Sequence, residues 1–461
     1  MTIQAPAAQD SAAAVPDSNR AFVSGARILS IGIASTGLFT FAYLATASHV
    51  LSRSGYSRIA LGWSIMYVIV SVIYRPIEQL LSRTISDRHA RGDWSSAVLR
   101  TPALIQAAFA VSFLVVALAL RDTLIHDVFD GGTALYWVLV IAVVAYAASY
   151  FARGWLAGHR RFALYGALVF LESTSRFTFA MLAVVGLTHG EDAVAAGMAV
   201  APFVSLCVIP FAFTRVRKTG SAGQEAVEAE AAADPASRLS LRHGSHFAVS
   251  VVAIMLAEQT LMNAGVIAAA ASSHFVLTLG LTGFVFNILL IVRAPLMLFQ
   301  AIQTAILPHL TRLLARESVT EFRALVRRTT QLTLAFGLAV ALGLLLIGPP
   351  VMKLLVGDHG FTYKRFGLAA VGLGLGFHLT SGTLNQALLA RGRANIAARA
   401  WVIAATAFVA FISFPTIASV VTRTEVGYCG ATALLTLMLF VVYRAPADLT
   451  GAVPAPAPAG G

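Results

Sequence analysis

Residues 133–153, TALYWVLVIAVVAYAASYFAR, carry no charge until Arg153 at their end. Crossing ~30 Å of hydrocarbon takes about 20 helical residues of this kind. Stretches long enough to do so recur from Gly25 to Tyr443 with only short interruptions. The composition agrees: hydrophobic residues are 58% of the 461 positions and charged ones 12%, against about a quarter charged in soluble domains. Backbone groups in lipid have no water to bond, and strand-like alternation is absent from the sequence, so helices must be the spanning unit. The chain reads as an all-α integral membrane protein.

The apolar pattern predicts about twelve transmembrane helices, at residues 24–48, 57–82, 102–120, 133–153, 162–187, 191–213, 245–271, 275–307, 330–352, 366–390, 399–420 and 425–443. An even number puts both ends on one side. Of the 33 Lys and Arg residues, 23 fall in the tails, the loops after even-numbered helices and the adjoining helix ends, and 7 on the other side. Basic residues mark the cytoplasmic side, so both termini are expected there, with the protein in the cell membrane. The net charge of +12 follows the loops, which argues against nucleic acid as a partner.

Residues 1–23 and 444–461, rich in Ala, Ser and Pro, read as disordered cytoplasmic tails. Residues 24–213 and 245–443 each hold six helices. Residues 214–244 between them, with an acidic, Ala-rich run from Gln224 to Asp234, read as a cytoplasmic linker. The stretches Ser82 to Arg100 and His309 to Arg328 mix basic residues with Leu, Trp or Phe and read as short helices on the cytoplasmic surface. Cys207 and Cys429 both sit in apolar runs, too few and too far apart for a disulfide framework or a metal-ligand spacing.

The two halves carry matching features in the same order. Tyr74-Arg75-Pro76 in helix 2 precedes a polar, basic stretch, as Arg293-Ala294-Pro295 does in helix 8. Leu156-Ala157-Gly158-His159-Arg160 follows helix 4, and Leu389-Ala390-Arg391-Gly392-Arg393 follows helix 10. Six helices return the chain to its starting side, so the copies would be parallel, related by an axis along the membrane normal.

Arg75, Arg176 and Arg293 remain inside the predicted helices. One such Arg costs about 2.5 to 3.5 kcal/mol on insertion scales, so each needs a partner or water. Glu172 and Arg176 are spaced i, i+4, and Arg75 and Glu78 i, i+3, so both can pair on one helix face. Arg293 has no acidic residue within reach on its own helix, and Pro295 beside it frees backbone carbonyls. At ~1.5 Å per residue, Arg75 and Arg293 belong to the cytoplasmic half, and Arg176 and Glu258 lie at similar depth further out. Glu258 with Gln259 and Asn263, and His378 with Asn385 and Gln386, are further polar sites at membrane depth, suited either to a coupling ion or to sugar hydroxyls. Pro202, Pro295, Pro349 with Pro350, and Pro415 either end and kink their spans or supply hinges.

The segments Tyr74-Arg75-Pro76-Ile77-Glu78-Gln79, Arg153-Gly154-Trp155-Leu156-Ala157-Gly158 with Arg160-Arg161-Phe162, and Arg293-Ala294-Pro295-Leu296 with Gln303 and Leu307-Pro308 resemble the polysaccharide flippase branch of the multidrug/oligosaccharidyl-lipid/polysaccharide exporter superfamily. The resemblance spans roughly residues 20–445 and rests on diffuse patterns. It implies two six-helix bundles around a V-shaped cavity that opens alternately to either side, with an oligosaccharide on a polyprenyl diphosphate as the substrate class. In that setting Arg75, Arg176 and Arg293 facing an aqueous cavity would bind the diphosphate bidentately. Membrane lipids, and a glycan polymerase or glycosyltransferases, are the partners such a role implies. No cofactor and no metal are expected, since the sequence has neither a Walker A segment nor a zincin motif. No outer loop exceeds about a dozen residues, against a glycan polymerase or ligase. An ion-coupled multidrug exporter of the same superfamily remains the nearest rival. It often carries an acidic residue in the first helix, where Gly25 to Ser48 has none. A membrane scaffold for glycan-synthesis enzymes is the rival from another class.

Overall fold

The computed structural model describes residues 15–89, 99–159, 161–187, 190–213, 241–272, 280–293, 295–297, 299, 318–357, 360–414 and 419–445. Residues 1–14 and 446–461 of the expected tails, most of the linker, and Arg160, Ala294, Gln303, Leu307, Pro308 and Pro415 lie outside them. Among the described residues twelve helices are long and apolar enough to cross a membrane, and the chain is a multi-pass membrane protein.

The first half comprises α1 (Val15–Val50), α2 (Arg53–His89), α3 (Arg100–Ala119), α4 (Thr133–Gly158), α5 (Phe162–Val184) and α6 (Glu191–Leu206). The second comprises α7 (Leu241–Ala271), α8 (Gly280–Met297), α9 (Val319–Val356), α10 (Arg365–Ala390), α11 (Ala394–Ser413) and α12 (Val420–Arg444). We call the side bearing the start of α1 and the end of α12 the basic face, and the other the opposite face.

Several boundaries differ from expectation, each for a local reason. Helix α1 begins at Val15, ahead of the tail boundary expected at residue 23. Pro16 suits a first turn, where a missing N–H costs nothing. Helix α2 continues through Pro76 to His89, and α9 starts at Val319. The described parts of the two expected surface helices are thus extensions of spanning helices, because the polar residues there are good helix formers. Helix α4 runs on to Gly158, five residues past Arg153. Pro349 and Pro350 lie inside α9, which continues to Val356. Helix α6 ends at Leu206 and a short turn, Ile209–Phe213, follows. Pro210 has no N–H to give Leu206, which accounts for the break.

The packing repeats. In the first half α1 lies on α5, α3 on α4, α4 on α6 and α5 on α6; in the second, α7 lies on α11, α9 on α10, α10 on α12 and α11 on α12. Each pair maps onto its counterpart by a shift of six helices without reversal, as a parallel duplication requires. Close backbone approach holds the pairs together. A Cβ on Gly32 of α1 would lie 2.7 Å from Gly166 Cα of α5, and Gly337 of α9 meets Gly376 of α10 in the same way. Lipid offers no hydrophobic drive between helices, so such small-residue contacts and their dispersion energy carry the association.

The halves meet at the opposite face in a buried polar seam. Tyr56 Oη at the start of α2 donates to Asn287 Oδ1 of α8. Asn287 Nδ2 donates to Ser48 Oγ at 3.3 Å and to Val356 O, at the end of α9, at 3.2 Å. Gly283 N donates to Ser57 Oγ at 3.0 Å. Asn287 and Tyr56 are fully buried, so the opposite face is closed between the halves here.

Candidate functional site

Toward the basic face from that seam, the first half encloses a cavity of about 300 Å³. Helices α1, α2, α4 and α5 line it, with Met297 of α8. Its charged wall consists of Arg75, Arg153 and Arg176 against Glu78 and Glu172, one guanidinium in excess. Trp63, Tyr67, Tyr146, Tyr150 and Tyr165 supply the aromatic wall.

Glu172 is the hub. Its carboxylate accepts from Arg153 Nη2, from Tyr146 Oη at 3.0 Å, from Ser149 Oγ at 3.2 Å and from Arg176 Nη2 at 3.4 Å. Arg176 Nη1 also donates to Tyr146 Oη at 3.1 Å. The Arg176 guanidinium lies 5.0 Å from the Trp63 ring, and that of Arg153 lies 4.4 Å from Tyr150. Ring faces offer partial negative charge to cations removed from water. Even so, Nε of Arg153 and of Arg176 is buried with no partner among the described residues. Two guanidiniums sharing one carboxylate leave donor capacity that an anion can take up.

Glu78 accepts from Tyr165 Oη at 2.6 Å. Arg75, three residues earlier, interacts electrostatically with Glu78 and Tyr150 of the first half and with Glu258 of the second. Arg75 thus also feels a carboxylate of the second half. Helix geometry puts these groups together. Tyr146, Tyr150 and Arg153 recur at spacings of four and three on α4, and Tyr165, Glu172 and Arg176 at seven and four on α5, so each set shares one face.

The other expected site residues lie in the second half. Arg293 Nη2 donates to Asn263 Oδ1 at 2.7 Å and Met262 O at 3.1 Å, with its guanidinium 4.5 Å from the Phe286 ring. It is buried and does not line the cavity that Arg75 and Arg176 share. Asn263 Nδ2 in turn donates to Gln259 O at 2.9 Å and Gln259 Oε1 at 3.2 Å. His378 Nδ1 hydrogen-bonds Tyr428 Oη at 2.9 Å, and its Nε2 stands 4.0 Å from Glu258 Oε1. Asn385 is buried on the same helix as His378, its Oδ1 without a partner among the described residues.

Arg153 is the site residue that sequence reasoning passed over. Ending helix 4 at residue 153 counted it among interfacial cations, whereas the helix continues by more than a turn and buries it beside Glu172. The seven-residue spacing from Tyr146 and the four-residue spacing from Ser149 were the available signal.

The sequence matches no protein-family model and no curated protein. Solved structures do match. An inward-facing conformation of a multidrug resistance MATE family transporter of the MOP superfamily is 13% identical over 90% of this chain and 97% of its own, with a TM-score of 0.70. The outward-facing conformation of such a transporter gives 0.62, at 13% identity over 93% of this chain and 95% of its own. The lipid II flippase MurJ in an inward closed conformation gives 0.63, at 10% identity over 90% and 87%. The fold is that of MOP transporters.

Proposed function

We propose that the chain is an alternating-access flippase that carries a polyprenyl-diphosphate-linked oligosaccharide from the inner to the outer leaflet of the cell membrane, for cell-surface polysaccharide synthesis. The observation that carries this reading is the cavity wall of Arg75, Arg153 and Arg176, cationic in excess, with Nε of Arg153 and of Arg176 unpartnered among the described residues. A diphosphate cannot cross hydrocarbon while charged and unpaired; guanidiniums neutralise it bidentately. The tyrosines and Trp63 offer flat apolar faces with hydroxyls for the first sugars, and the isoprenoid tail stays in the bilayer. Both termini and the basic face are cytoplasmic in this reading, so the sealed seam at Asn287 lies outside and the substrate enters from the side where it is made. The fold shared with MurJ, described as a lipid II flippase, supports the substrate class; the better match to an inward-facing transporter supports the state.

Glu258 with His378 forms the coupling site in the second half. Arg75 interacts with Glu258 and lines the cavity, so an anion that takes Arg75 withdraws a counter-charge from the carboxylate. Glycosyltransferases or a polymerase would act before and after transfer. The rival is a multidrug exporter, which the MATE neighbours favour by fold. Excess guanidinium charge opposes a cationic drug.

The test is export of lipid-linked glycan in cells carrying Arg153→Gln or Arg176→Gln. A charge-assisted hydrogen bond contributes about 1.5–3 kcal/mol, so each variant is expected to lower transport by roughly tenfold or more, with inner-leaflet accumulation of the intermediate. Undiminished glycan export from both variants, or drug susceptibility that changes while glycan export does not, would reject the proposal.

A further inference from the structure

A second cavity, of about 520 Å³, lies on the other side of α4 from the arginines. It is a groove between α3, α4 and the end of α6, walled by alanines of α3 and α4 with Phe151, Trp155, Ile209 and Phe213. The neighbouring face of α3 exposes Leu104 and Val111 at 62% and 59%. In a membrane that face meets acyl chains, so the groove opens onto hydrocarbon, and its volume falls within the ~300–1,000 Å³ of ligand sites. Its end at the basic face is charged. The Trp155 ring lies 4.3 Å from the His159 ring and 5.9 Å from the Arg161 guanidinium, and the exposed Arg100 follows Leu99 at the rim. An apolar slot capped by Trp and Arg matches a lipid whose chains are buried and whose phosphate sits at the interface.

We infer that this groove binds an anionic phospholipid of the leaflet on the basic face, one acyl chain lying against Phe151 and Trp155 and the phosphate held at Arg161. The tail of a transported lipid is the wrong occupant. A Cβ on Gly154 would lie 2.8 Å from Glu78 O, and one on Gly158 2.7 Å from the Ile85 side chain. Helix α2 is thus clamped against the basic-face end of α4, and α4 itself, with Tyr146, Tyr150 and Arg153 on one face and Ala147, Ala148, Phe151 and Ala152 on the other, stands between the groove and the arginine cavity. The site is a resident lipid site, wedged where α3 packs on α4.

Tryptophan quenching in full-length protein reconstituted into phosphatidylcholine vesicles with a fraction of phosphatidylglycerol tests this without reading transport. The dibrominated acyl chains are placed either on phosphatidylglycerol or on an equal amount of phosphatidylcholine. The signal due to Trp155 is the difference between the wild type and Trp155→Phe. It is expected to be quenched several-fold more strongly when bromine is on the anionic lipid, with the ratio falling to about one in Arg161→Gln and kept in Arg161→Lys. Arg161 is partly exposed, so neither variant threatens folding. Equal quenching from both lipids would mean undiscriminating annular contact, and no quenching of Trp155 by either would mean that protein fills the groove; both results overturn the inference.

Discussion

Glu172 sits between two guanidiniums in a region where an uncompensated charge is expensive. Removing one partner of a buried pair costs about 3–5 kcal/mol, most of it the stranded opposite charge. Glu172→Gln, which strands both Arg153 and Arg176, is therefore expected to lower thermal stability in detergent more than Arg153→Gln, which leaves Arg176 paired. The double variant should recover part of the loss, and thermal unfolding of all four proteins in one detergent measures the coupling; strict additivity would mean the cluster contributes no pairwise energy. The pairing of Glu172 with Arg176 was legible in the sequence because both lie on one helix, where the 3.6-residue period decides who meets whom. Arg153 was not, since its partner lies on another helix and its depth depends on where α4 ends. Likewise Asn263 as the partner of Arg293 follows from the packing of α7 on α8.

At the level of helices, the glycines that let α2 and α4 touch also hold the cavity wall in place. Gly154 stands beside Arg153 and against the Glu78 backbone, so Gly154→Ala has to push α4 off α2 and separate two cavity residues. Overpacking of this kind costs about 1–3 kcal/mol, and both a lower melting temperature and reduced transport are expected. Gly430 in α12 has open space where its Cβ would go. Gly430→Ala is expected to leave transport intact and to raise stability by about 0.5–1 kcal/mol through helix propensity alone. A Gly154→Ala variant as stable and active as Gly430→Ala would contradict the packing account. Sequence hydropathy located the helices but misjudged their ends at Val15, His89 and Gly158, because a helix can leave the apolar layer and continue wherever its residues still favour it.

For the molecule as a whole, the seam around Asn287 ties the two halves at the opposite face, and under the proposed alternating access it would hold that face shut. Each buried polar group left unsatisfied costs about 1–3 kcal/mol. Asn287→Ala is therefore expected to raise the population open at that face by roughly tenfold. In a background carrying Cys207→Ser and Cys429→Ser, labelling of Met66→Cys by an impermeant maleimide added from that side reads the change, since Met66 is buried on the cavity wall. Labelling no faster than in the Asn287 parent would mean that the seam is not the gate. The solvent class, the number of crossings and the side on which positive charge collects were all contained in the sequence, since each depends on the local balance of apolar and basic residues that a bilayer sorts directly. Which arginines share a cavity, that Arg153 joins Arg176 on Glu172, and which face is shut were decided only by tertiary structure, because those are contacts between different helices, 19 residues apart for Arg153 and Glu172 and 231 for Tyr56 and Asn287, whose relative rotation no local pattern specifies.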